Sequence, residues 1–201
     1  MKKLTAIVAA FLFVVFFGQY ETVAQQIESP APSPASSVTQ VVGFTKITID
    51  YSSPAVKGRK VFGDLIPWDQ PWRAGANMPT KVTFSTAVRV GDKDLRPGSY
   101  NIFMTPSEKG DWTIHFNGKN NSVFVYLKDG KIDVEALVKD DVASVKVKPV
   151  ASPFGFERML YTISAEDNKT AKITMFWDKT AVSFMVDTRA DQTMERFKAA
   201  F

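Results

Sequence analysis

KVTFSTAVRV, residues 81–90, carries the pattern that sets the fold class. Val82, Phe84, Val88 and Val90 are apolar at even positions, whereas Thr83, Ser85 and Arg89 are polar. Successive side chains of a strand point to opposite faces, so a period of two marks a strand with one buried face. The pattern recurs downstream. DWTIHFN sets Trp112, Ile114 and Phe116 on one face and Thr113, His115 and Asn117 on the other. ERMLYTIS groups Met159, Tyr161 and Ile163, and AKITMFWD groups Ala171, Ile173, Met175 and Trp177.

Turn signals separate these runs. Gly91-Asp92-Lys93-Asp94 and Pro97-Gly98 suit tight turns. Asp129-Gly130 predicts a hairpin between VFVYL and KIDVE, and Asp178-Lys179 predicts another between AKITMFW and TAVSFMV. Many short strands with frequent turns define an all-β expectation: a β-sandwich or jelly-roll-like pair of antiparallel sheets. One short C-terminal helix is expected in DTRADQTMERFKAAF. There Ala190, Met194, Phe197 and Phe201 recur at helical spacing, and Asp187 or Thr188 could cap the start. Its expected role is to cover a sheet edge or end, with partner binding as the alternative.

The first residues read as a targeting signal. Lys2 and Lys3 precede an apolar run from Leu4 to Phe17, too short for the ~20 residues of a spanning helix. Thr22-Val23-Ala24 offers a cleavage site, so residues 1–24 are expected to be a signal peptide and the mature protein periplasmic or secreted, with no transmembrane segment. Residues 25–40 are rich in Pro, Ser and Ala and read as a flexible leader, placing a single β-sandwich domain at 41–201. Such a domain is large enough to fold without disulfides. The chain has no cysteine, which excludes thiol nucleophiles and cysteine metal sites. Removing Lys2, Lys3 and Glu21 takes the formal charge from +4 to +3. Basic and acidic residues are interspersed, so no nucleic-acid partner is expected.

The chemical motifs that identify common enzymes are missing: no GxSxG, HExxH, Walker A or GxGxxG occurs. GDKDLRPGSY and EDNKT lack EF-hand spacing and read as turns, and a zinc site would have only His115 among the usual nitrogen and sulfur ligands. No metal or cofactor is expected. His115, the single histidine, falls on the polar face of its strand. It is a secondary candidate for function and otherwise a solvated side chain.

VFGDLIPWDQPWRAGANMPT, residues 61–80, breaks the strand pattern. Pro67 and Pro71 precede Trp68 and Trp72 and oppose a regular helix. The corner could hold the two indoles as flat contact surface for a sugar or other planar ligand, or use them to plug one end of the sandwich. Arg73 offers a fork of donors to a carboxylate or phosphate, with Asp64 and Asp69 among its internal choices. Asn77 could add a hydrogen bond or pin the loop. Trp68, Trp72, Arg73 and Asn77 are therefore the candidate ligand-binding residues, and Asp64 is a secondary candidate.

These segments resemble the DUF2911 family of exported bacterial proteins, mainly from Bacteroidota, whose biochemical function is uncharacterised. The resemblance rests on YSSP at 51–54, GRKVFG at 58–63, LIPW at 65–68 and WRAGAN at 72–77. LRPGSYNIFMTP at 95–106 and DWTIHFN at 111–117 continue it. It covers about residues 44–187. The family pattern has threonine where this chain has Ala74, so a hydroxyl is absent there, and His115 matches a position that varies. The resemblance implies a compartment and a domain but no activity. The expected function is non-catalytic binding of a small molecule, glycan or envelope partner at 61–80, with oligomeric state open. The alternatives are an extracytoplasmic hydrolase or isomerase using Arg73 with Asp64 or His115, and a structural envelope-associated protein.

Overall fold

The computed structural model describes residues 29–201. The expected signal segment and cleavage site lie outside the described residues. The strands are β1 (Ala35–Val42), β2 (Thr45–Ser52), β3 (Thr80–Phe84), β4 (Val88–Val90), β5 (Lys93–Leu95) and β6 (Gly98–Thr105). They continue as β7 (Trp112–Asn117), β8 (Leu127–Lys128), β9 (Lys131–Ile132), β10 (Asp141–Val147), β11 (Val150–Ala165) and β12 (Thr170–Asp187). A six-stranded sheet has the order β1-β2-β3-β6-β7-β10, and a four-stranded sheet the order β11-β12-β4-β5. Strand pairing is antiparallel throughout both.

The expected alternation builds the core between these sheets, although residues 81–90, read as one run, break at 85–87 into β3 of the larger sheet and β4 of the smaller. Ile47, Val82, Phe84, Ile102, Ile114 and Phe116 come from the larger sheet; Met159, Ile173, Met175, Phe184 and Val186 come from the smaller. Phe116 meets Phe184 edge-on across the gap, with centroids 5.4 Å apart. The protein is thus a β-sandwich-like fold with a short C-terminal helix, as the period-two segments predict.

Four local expectations are corrected. Residues 35–40, assigned to the leader, form most of β1 and pair with β2. Val38, half-buried against the core, supplies the inward contact that a composition-based reading overlooks. Asp178-Lys179 is not a hairpin turn but a kink inside β12. Asp178 takes φ 52° there. Buried positions run odd up to Trp177 and even from Val182, which is what a one-residue bulge does to strand parity.

The third correction concerns residues 118–140. Asp129 (φ 51°) and Gly130 (φ 76°) do make a hairpin turn, but the ribbon they join is only β8 and β9. Val123–Tyr126 is a 3-10 helix, and Val134–Lys139 is a second, short α-helix capped by the Asp133 carboxylate, which accepts from Ala136 N at 3.1 Å. Val123, Tyr126 and Leu137 pack on Phe103 as a separate small core on the outer face of β6. The fourth concerns the C-terminal helix, Ala190–Lys198. Neither expected cap acts on it: Asp187 accepts from Arg189 N at 2.8 Å, and Thr188 Oγ1 donates to Lys169 O at 2.6 Å. Only Ala190 of the helix is buried, so the stripe of Met194 and Phe197 is largely exposed.

Candidate ligand cavity

The 61–80 corner is tied to both sheets by its backbone. Ile66 N donates to Val61 O and Gly63 N to Ile66 O, closing a tight first turn. Gly63 has φ 96°, and a Cβ there would lie 2.7 Å from Trp68 Nε1, so both conformation and space demand glycine. Trp72 then pairs with Met104: its N–H donates to Met104 O at 2.7 Å, and its carbonyl accepts from Met104 N at 2.8 Å. Ala74 follows at φ 52°, fully buried. Its carbonyl accepts from Thr80 Oγ1 at 2.7 Å and from the Tyr161 hydroxyl at 2.8 Å. Burial pushes the Tyr161 phenol well above its ordinary pKa.

This backbone turns Trp72 inward and leaves Arg73 at the boundary. Trp72 is 8% exposed; its indole stacks on Trp177 at 5.6 Å and donates from Nε1 to Gly75 O at 2.9 Å. Phe62 sits edge-on to Trp72, Trp112 and Trp177 and stacks with Trp68 at 6.3 Å. All four tryptophans therefore belong to one aromatic cluster, which plugs this end of the sandwich.

Arg73 is half-buried and forms no ion pair among the described residues. Its Nε is buried without a hydrogen-bond partner in the protein. Beside it opens a cavity of about 400 Å³ between the corner and the 118–140 excursion. Arg59, Trp72, Arg73, Phe124, Ile132 and Trp177 are among its walls, and no aspartate or glutamate lines it. Trp177 Nε1 is a second buried donor without a partner. An unpaired buried donor costs on the order of 1–3 kcal/mol, and both of these belong to residues that line the cavity, where no carboxylate is present to answer the arginine's charge.

Of the six residues singled out in the sequence, only Trp72 and Arg73 line this cavity. Trp68 is half-buried against Phe62 and Trp112. Asn77 (φ 56°) reaches the other way, donating to Ser33 O at 3.2 Å and Ser52 Oγ at 3.1 Å, and so pins the corner to the chain entering β1 and to the end of β2. Asp64 is exposed and pairs with Lys60 at 3.3 Å. Arg59, Phe124, Ile132 and Trp177 were not singled out. Trp177 reads as one more core position of a strand, Phe124 and Ile132 come from a segment distant in sequence, and Arg59 lies just before the corner.

His115 is not solvated. It is 5% exposed, with Nδ1 2.7 Å from Asp141 Oδ2 and Nε2 2.9 Å from Thr105 Oγ1. Both ring nitrogens are thus engaged, one by a carboxylate and one by a hydroxyl that can donate or accept. The outer face of the sheet is covered here: Phe103, opposite His115 in the β6–β7 pair, lies in the small second core. This chain of groups ties β6, β7 and β10 together, and none of the three lines the Arg73 cavity. No group of three or more acidic, histidine or cysteine side chains suited to a metal occurs among the described residues. No helix among them is long and apolar enough to cross a membrane.

These features define a β-sandwich-like domain with one aromatic-plugged end and a cavity carrying an unpaired arginine. The chain belongs to the family described as a protein of unknown function (DUF2911), which it matches over residues 33–186. That match begins close to the start of β1. No curated protein and no solved structure matches the chain.

Proposed function

We propose that this protein is an exported, non-catalytic domain that binds a small molecule in the cavity between the 61–80 corner and the 118–140 excursion. One observation carries the reading: Arg73 is committed to no carboxylate, yet its Nε is buried on a cavity without acidic walls. An internal structural arginine would be paired. The apolar walls and a volume of about 400 Å³ suit a small ligand. Trp72 contributes an edge of its ring and a rigid wall rather than an open platform. Arg73 contributes the polar anchor, while Trp68 and Asn77 hold the corner in shape.

An enzyme built on Arg73 needs Asp64 or His115 beside it. Asp64 bonds to Lys60, and His115 to Asp141 and Thr105, so neither supports that reading. Binding is tested by screening a fragment library against the nitrogen-15-labelled protein and following the four indole N–H resonances. A common subset of fragments is expected to shift Trp177 and Trp72 while leaving Trp112 in place. A library in which no fragment moves Trp177 or Trp72 contradicts the reading.

A further inference from the structure

We propose that the Arg73 cavity takes an amphipathic monocarboxylate, a small molecule with an apolar body and a single carboxylate that docks on the Arg73 guanidinium. The proposal rests on the reading above that the cavity binds a small molecule, and it names the class.

Charge decides the head group. Two arginines and no acid line the cavity, so a cationic ligand meets only repulsion. Arg59 is already anchored: its Nε donates to Val56 O at 3.0 Å and its Nη2 to Ala55 O at 2.6 Å. Arg73, half-buried on the cavity, makes no ion pair and leaves its Nε without a partner, so its guanidinium fork is unspent and matches the two oxygens of a carboxylate.

The walls decide the body. Leu65, Ile66, Phe124, Leu127 and Ile132 are apolar, and the uncharged polar side chains are only Ser33 and Gln70. A sugar brings many hydroxyls that these walls could not satisfy, and burying them unpaired is costly. A stacking platform for a sugar is also missing. The Trp72 and Trp177 rings stack on each other, which occupies a face of each. A second anionic group would find the charge of Arg59 but no free fork, since its Nε and Nη2 are spent on backbone carbonyls.

The test uses three probes with one body and different heads: 4-phenylbutyrate, 4-phenylbutanamide and 4-phenylbutylamine. Each is titrated calorimetrically into the whole protein and into Arg73→Met and Arg73→Lys, with the indole resonances as the locator. The acid is expected to bind at least about tenfold more tightly than the amide and to shift Trp177 and Trp72, while the amine binds most weakly. Arg73→Met should bring the acid down to the level of the amide and leave the amide unchanged. Arg73→Lys, which keeps the charge and loses the fork, should fall between. Unchanged thermal midpoints show that the variants are folded. Acid and amide binding equally, the amine binding best, or acid affinity unaffected by Arg73→Met would each overturn the carboxylate class while leaving small-molecule binding intact. No probe and no fragment moving Trp177 or Trp72 would overturn both.

Discussion

Ala74 holds the corner through its carbonyl rather than its side chain. The Thr80 and Tyr161 hydroxyls both donate to it, so the positive φ of a buried alanine is held from two sides. Tyr161→Phe removes one of these bonds and should cost about 1 kcal/mol in urea unfolding at neutral pH. The alkaline side gives a second readout. Burial raises the Tyr161 pKa in the fold, so its contribution is complete below the unfolded value of about 10 and is lost as pH rises beyond it. The wild-type urea midpoint should therefore fall above about pH 10, and the fall should be shallower in Tyr161→Phe. Tyr126 and Tyr100, also raised chiefly by burial, and Lys169, raised by its bond to Asp191, add to the slope in both proteins. A slope identical in both proteins would remove Tyr161 from the explanation. Gly75 is held by space alone: a Cβ would lie 2.8 Å from Thr80 Oγ1. Gly75→Ala should cost about 1–3 kcal/mol and disturb the cavity wall.

Among the elements, β12 shows how one backbone conformation sets a whole face. The Asp178 bulge lets Trp177 and Val182 share the core despite their odd separation in sequence. Asp178→Gly should keep or raise stability, by up to about 1 kcal/mol, since glycine adopts positive φ freely. Asp178→Val should lower it by about 1–2 kcal/mol, as read by thermal unfolding. The C-terminal helix behaves in the opposite way. Phe197 is 54% exposed and meets Phe44 at a centroid distance of 6.1 Å. Phe197→Ser should therefore change stability by less than about 1 kcal/mol, whereas Trp177→Ala, in the aromatic cluster, should cost about 3–5 kcal/mol. Comparable losses from the two would mean that the helix packs more firmly than its exposure indicates.

At the scale of the molecule, the sandwich and the excursion differ in what holds them. The sandwich has one large core shared by both sheets, while residues 118–140 rest on the small cluster of Phe103, Val123, Tyr126 and Leu137. Amides of 123–139 should exchange with solvent well before those of β3, β6 and β12, and equal protection would contradict that division. The same contrast explains what could be read from the sequence. Strands such as β3 and β7 announce themselves, because a half-buried strand must alternate. The excursion does not: its helices are too short for a periodic signal, and VFVY mimics a strand until Val123 and Tyr126 are seen to pack at a spacing of three. Arg73 and Trp72 stand out by composition in a proline-rich corner. Trp177 and Phe124 reach the cavity only through long-range folding, Arg59 carries no local sign beside the corner, and the burial of His115 is hidden because its polar face is covered by a segment absent from any local pattern. A crystal structure of the protein with 4-phenylbutyrate tests the central claim most directly. The expected result is a carboxylate about 3 Å from the Arg73 guanidinium, with the phenyl ring against Phe124 and Ile132. A carboxylate seated away from Arg73, or a probe held at another surface with this cavity unoccupied, would contradict it.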